Sequence, residues 1–236
     1  MENTYDILLS MHGLVGVAAL VTYWAAALAR KGSPLHIVSG RIYLLAMLGI
    51  CATAIPMAAI FLARGRTVPG VFLGYLVLIT ATAMWGGFRA IRLKRSESSF
   101  RAGSYPAVSV ANLAAGLLVL ALGLANTSPL LSGISFIGIS IGVGNLRRLR
   151  SPLGVSNWWI MEHYGAMLGC GIATHVAFLS IGLNRLIQAA GMQLPGTVSL
   201  LAWALPVTTA AIAAIMLNRK YAGARASRSP TTAVNA

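Results

Sequence analysis

The sequence predicts an all-α fold, a polytopic transmembrane helical bundle of about seven helices, with its N-terminus outside and its C-terminus cytoplasmic. Three observations carry this expectation. Of the 236 residues, 57% are apolar and 9% charged, where soluble domains are about a quarter charged; the mean hydropathy is +0.77. Seven windows meet a spanning helix's need for ~20 mostly apolar residues. The basic residues punctuate those windows instead of forming one patch or stripe. A soluble enzyme is excluded, and the net charge of +14 reads as topological, with anionic headgroups as its partner and no nucleic acid.

The first window, 7–29, follows Met1-Glu2-Asn3-Thr4-Tyr5-Asp6, acidic where a signal peptide is basic, so it is kept as a helix. The second, 42–62, is preceded by Lys31-Gly-Ser-Pro-Leu-His36. There Ser33 suits an N-cap and Pro34 a first helical position, which sets His36 in the first turn, near headgroup level. The third and fourth windows are 69–88 and 107–126; the fifth, 129–146, is the shortest. The sixth covers 157–183 and the seventh 197–217. Pro56 and Pro206 fall mid-helix, where each removes a donor and should kink the chain. GxxxG pairs at Gly138/Gly142 and Gly165/Gly169 predict close helix contacts. No internal repeat is visible. Residues 1–221 form one expected domain, and 222–236, small, polar and basic, an expected disordered cytoplasmic tail.

Orientation follows from the positive-inside rule. With the N-terminus outside, the inner segments hold Arg30, Lys31 and Arg41; Arg89, Arg92, Lys94, Arg95 and Arg101; Arg147, Arg148 and Arg150; and Arg219, Lys220, Arg225 and Arg228. The outer segments hold only Arg64, Arg66 and Arg185. Trp158 and Trp159 read as an aromatic belt at the inner interface.

Ionisable groups are costly in hydrocarbon, so those present are candidates for function. Glu162 is the only acid inside a window, and the histidines are His12, His36, His163 and His175. At about 1.5 Å per helical residue, His12 lies ~8 Å and His175 ~12 Å below the outer boundary. In one layer they could ligate a transition metal or clamp a haem b between them. His163, ~9 Å under the inner boundary with Glu162 beside it, could pair with His36 only if the second helix sinks or tilts. Glu162 is a proton-relay candidate, or a neutralising partner for Arg147, Arg148 or Arg150. Cys51 and Cys170 both fall at mid-membrane, where thiols behave as small hydrophobes. No P-loop, nucleophile-elbow or HExxH motif is present.

The stretch Lys31-Gly-Ser-Pro-Leu-His36-Ile-Val-Ser-Gly-Arg41-Ile-Tyr43, after a helix bearing His12, resembles a broad family of bacterial multi-pass membrane proteins of unknown function with a KGxxLHxxxGRxY-like signature. The helix from Trp159 through His163 to His175 is also similar. The resemblance implies a bacterial inner-membrane location and a bundle of roughly seven helices, marks His12, His36, Arg41, His163 and His175 for testing, and supplies no activity. The two same-face histidine pairs of transmembrane b-type cytochromes are not seen. The leading specific expectation is a histidine-ligated haem or metal redox protein, with quinone or a membrane complex as its partner. The alternatives are a proton-coupled transporter or channel, or a scaffold subunit of a membrane complex; whether the chain is an enzyme stays open.

Overall fold

The structure is a computed structural model that describes residues 2–192 and 196–222. Its helices are α1 (Glu2–Leu28), α2 (Pro34–Ala63), α3 (Thr67–Arg92), the short α4 (Glu97–Arg101), α5 (Tyr105–Ala125), α6 (Pro129–Arg150), α7 (Trp158–Ala177), α8 (Leu183–Ala189) and α9 (Gly196–Ala222). A π-helical turn, Phe178–Gly182, joins α7 to α8. Among the described residues there is no strand. Seven segments are long and apolar enough to cross a membrane: α1, α2, α3, α5, α6, the continuous run Trp158–Ala189, and α9. The expected tail, apart from Ala222, lies outside the described residues.

The ends of these helices are chemically marked. Ser33 caps α2, its hydroxyl accepting from the His36 N–H at 3.3 Å, and Pro34 occupies the first turn, where its missing donor costs nothing. Ser96 and Ser128 cap α4 and α6 in the same way. Pro56 and Pro206 both lie inside uninterrupted helices. The sixth span extends to Ala189, six residues beyond the window expected for it.

Three clusters hold the bundle. Ala19, Tyr43, Met47, Cys51, Met84 and Cys170 join α1, α2, α3 and α7. Tyr75, Ile79, Val119, Leu131 and Ile134 join α3, α5 and α6. At the basic end, where α3 meets α4, Ala90, Phe100, Tyr105 and Trp158 form the third. Trp158, expected in an interfacial belt, is instead buried, with its ring 5.0 Å from that of Phe100. Large apolar side chains such as Leu14, Leu45, Leu118 and Leu124 face outward, as a helix surface in contact with lipid requires.

Candidate functional site

The segment between α1 and α2 builds one half of the site. Lys31 turns back so that its ammonium donates to the Ala26 and Ala27 carbonyls at 3.2 and 2.5 Å, satisfying acceptors that the end of α1 leaves without partners. Burial lowers the Lys31 pKa. Gly32 takes φ +81°, the left-handed conformation that glycine tolerates, and Ser33 then starts α2. This places His36 so that its Nδ1 donates to the Ala26 carbonyl at 2.9 Å. The KGxxLH portion of the motif is thus a hinge between two antiparallel helices that aims an imidazole back at the first.

The other half comes from α7 and α3. His163 Nδ1 donates to the Gly87 carbonyl at 3.2 Å. A Cβ at Gly87 would lie 2.7 Å from Met167 Cε and 3.0 Å from Ala166 Cβ, so the absent side chain is what lets α7 lie against α3. The rings of His36 and His163 sit 6.5 Å apart, centroid to centroid, at an interplanar angle of 80°. Carbonyl oxygens only accept, so in each neutral ring Nδ1 carries the proton and Nε2 keeps its lone pair. Among the described residues neither Nε2 has a hydrogen-bond partner.

The outer pair expected from helix depth is not brought together. His175 belongs to a cluster with Tyr23, Trp24 and Tyr43: its ring lies 5.2 Å from Tyr23 and 5.5 Å from Trp24, and the Tyr23 and Tyr43 rings are 5.4 Å apart. His175 Nδ1 donates to the Gly171 carbonyl at 2.7 Å, and Nε2 accepts from Trp24 Nε1 at 2.8 Å, so both nitrogens are engaged. His12 Nδ1 meets Thr53 Oγ1 at 2.8 Å, and that hydroxyl already donates to the Gly49 or Ile50 carbonyl. Twelve residues of continuous α1 separate His12 from Trp24, about 18 Å of rise. Counting from span ends did not fix the pairing, since α1 begins at Glu2 and the sixth span runs on to Ala189; the register in which α7 packs on α1 sets His175 against Trp24.

Glu162 is committed to Arg101. Arg101 Nη2 donates to Glu162 Oε1 at 2.8 Å and to Glu97 Oε1 at 2.9 Å, and Nη1 donates to the Tyr105 hydroxyl at 2.6 Å. Tyr105 in turn donates to Asn145 Oδ1 at 3.0 Å. The Glu97 carboxylate also accepts from the Leu153 and Gly154 N–H groups at 2.8 and 3.0 Å. Burial alone would raise the Glu97 pKa, but those two N–H groups and Arg101 outweigh it and hold the carboxyl below its ordinary value. For Arg101 burial acts downward, and the bond to Glu162 reverses it, so the guanidinium is held more firmly protonated. The expected partners Arg147, Arg148 and Arg150 are replaced by a residue that the sequence offered as one more topological charge. Its available signal was the Glu97/Arg101 spacing of four, which pairs opposite charges on one helical face.

The remaining candidates are quickly placed. Arg41 is exposed on α2. Cys51 and Cys170 are free, buried members of one apolar cluster. Among the described residues no three of His, Cys, Asp and Glu gather into a metal-binding group. Arg89, also counted only as charge, donates to the Ser99, Phe100 and Ala102 carbonyls at 2.8–3.0 Å and so ties α4 to the end of α3.

Apolar spans, a buried polar clasp at one end and paired imidazoles between α2 and α7 define a multi-pass helical membrane protein. Compared with protein-family models, curated proteins and solved structures, the chain matches none.

Proposed function

We propose that this protein is a membrane redox protein whose His36 and His163 hold one metal centre, a transition-metal ion or a haem iron, near the basic end of the bundle. The observation that carries the reading is the pair itself: two imidazoles, each oriented through Nδ1 by a main-chain carbonyl, with centroids 6.5 Å apart. His36 and His163 would hold such a metal through their Nε2 atoms, the nitrogens that the two carbonyl bonds leave free. An Nδ1–H held by a carbonyl is also the second-shell arrangement that usually accompanies a ligating histidine. Two imidazoles suit copper, iron or zinc, of which the first two carry electrons.

When bound, the metal supplies a one-electron couple. The chain's part is to hold both rings in the ligating tautomer and to keep the α2–α7 spacing through the Tyr43–Thr174 hydroxyl bond, with α7 seated on α3 at Gly87 and clasped by Arg101 through Glu162. Under the positive-inside rule the basic end faces the cytoplasm, in a bacterial inner membrane. The electron partner in this reading is a quinone dissolved in the bilayer.

The test is an absorption spectrum, oxidised and reduced, with metal analysis, on protein purified from cells supplied with haem, iron and copper. Wild type should carry close to one centre per chain. His36→Ala and His163→Ala should each lose it, while His12→Ala and His175→Ala keep it. A preparation without metal or chromophore, or equal loss from all four variants, overturns the assignment.

A further inference from the structure

The chain has four acids against eighteen basic residues, so most cations have no carboxylate to meet. Glu2 and Asp6 belong to the first turns of α1, and both remaining acids, Glu97 and Glu162, are taken by Arg101. The consequence is sharpest where α3 ends. Arg92, Leu93, Lys94, Arg95, Ser96 and Ser99 line an open cavity of about 340 Å³. Among the described residues no carboxylate is paired with any of its three cations.

These side chains are held without being neutralised. The Arg92 guanidinium lies over the Phe88 ring at 5.5 Å, and the Lys94 ammonium over Trp159 at 5.6 Å. Both contacts position a cation and leave its charge in place. Ser96 donates its hydroxyl to Ser99 Oγ at 2.9 Å, which leaves the Ser99 hydroxyl proton available to a ligand. Glu97 follows Ser96 in sequence, yet its carboxylate is turned to Arg101, Leu153 and Gly154. Orientation in the membrane requires only an excess of Lys and Arg near the ends of the spans. It does not require three of them to surround one cavity together with a free hydroxyl.

We infer that this cavity binds a phosphate group, and that its source is the headgroup of an anionic phospholipid. Arg and Lys with hydroxyl donors are the donor set that a phosphate takes. The cavity sits where α3 leaves the apolar span, at headgroup depth, and Leu93 supplies an apolar wall toward the glycerol. Basic clusters directly adjoining a spanning helix attract anionic lipid through the same field.

Native mass spectrometry of the full chain released from nanodiscs of mixed phosphatidylglycerol and phosphatidylcholine tests the inference. Wild type should retain phosphatidylglycerol in preference. The double substitution Lys94→Gln/Arg95→Gln should cut that retention about thirtyfold, in line with the attraction of two basic residues near a surface. Arg219→Gln/Lys220→Gln, which removes equal charge from the end of α9, should leave it unchanged. Equilibrium dialysis of delipidated protein against inorganic phosphate separates the two sources. Saturable phosphate binding without lipid preference overturns the lipid assignment. Absence of both, or equal loss in the two double variants, overturns the site; the wild-type lipid preference is read without any variant.

Discussion

The half of the bundle made by α3, α5 and α6 is closed, and the half made by α1, α2 and α7 is open. Each contains a GxxxG pair. In the closed half, a Cβ at Gly138 would fall 2.1 Å from the Tyr75 hydroxyl and 3.1 Å from the Asn112 carbonyl, and one at Gly142 2.6 Å from Leu113 Cβ. In the open half, Gly165 and Gly169 are exposed, with nothing within 4 Å of a built Cβ. Only the first pair is therefore the close contact that the motif predicts. The glycines that admit neighbours to α7 are Gly171, under Tyr23, and Gly87 on α3, neither part of such a pair. Polar groups do not divide so cleanly. Tyr75 donates to the Ser135 carbonyl and accepts from Gly138 N–H, yet Asn112 Oδ1 on α5 is buried with no partner among the described residues, and the open half likewise leaves the Nε2 atoms of His12, His36 and His163 without one. Tight backbone packing at the glycine pair belongs to the closed half, while polar atoms without partners occur in both.

Arg101 joins the halves, since Tyr105 and Asn145 belong to α5 and α6 and Glu162 to α7. Arg101→Ala should have the largest effect, a loss of about 3–5 kcal/mol, because it strands two carboxylates in a mostly buried site. Thermal unfolding in detergent reads it, and a loss no greater than that of an exposed control such as Arg30→Ala would uncouple the halves. The same clasp predicts acid sensitivity. Glu97 is depressed in the folded protein, so its contribution is complete above its ordinary value and is lost as pH falls through the lower folded one. Wild-type stability should hold at neutral pH and fall in the acid range, with a shallower fall in Glu97→Gln.

Gly138→Leu comes next, at about 3 kcal/mol, since added bulk must displace Tyr75 and the α5 backbone. Gly165→Leu should change stability by less than about 0.5 kcal/mol, as at an ordinary surface position. Equal melting temperatures for the two variants would erase the distinction between the halves. The smallest measurable effect in the closed half should come from Tyr75→Phe. It removes the hydroxyl that accepts from Gly138 N–H and donates to the Ser135 carbonyl alongside the α6 helix ladder, at a cost of about 1 kcal/mol, readable as faster hydrogen exchange in α6.

Seven apolar segments, the capped start of α2 and the place of His36 in its first turn were determined by the sequence alone, because length, hydropathy and capping act within a few residues. Which helix covers a given face was decided only by tertiary structure. GxxxG states that a helix has a flat surface and not that another helix occupies it, which is why Gly138 and Gly165 read alike and differ in the fold. Depth could be estimated by counting residues, but the count depended on where the sixth span ends. That span ends at Ala189, beyond Phe178–Gly182, and the register of α7 on α1 set His175 beside Trp24 and not His12. The azimuth of a side chain around its helix, and hence its partner, follows from how helices rotate and cross. That geometry set His163 beside His36, gave Glu162 to Arg101, and made a structural hub of a residue whose charge alone was legible.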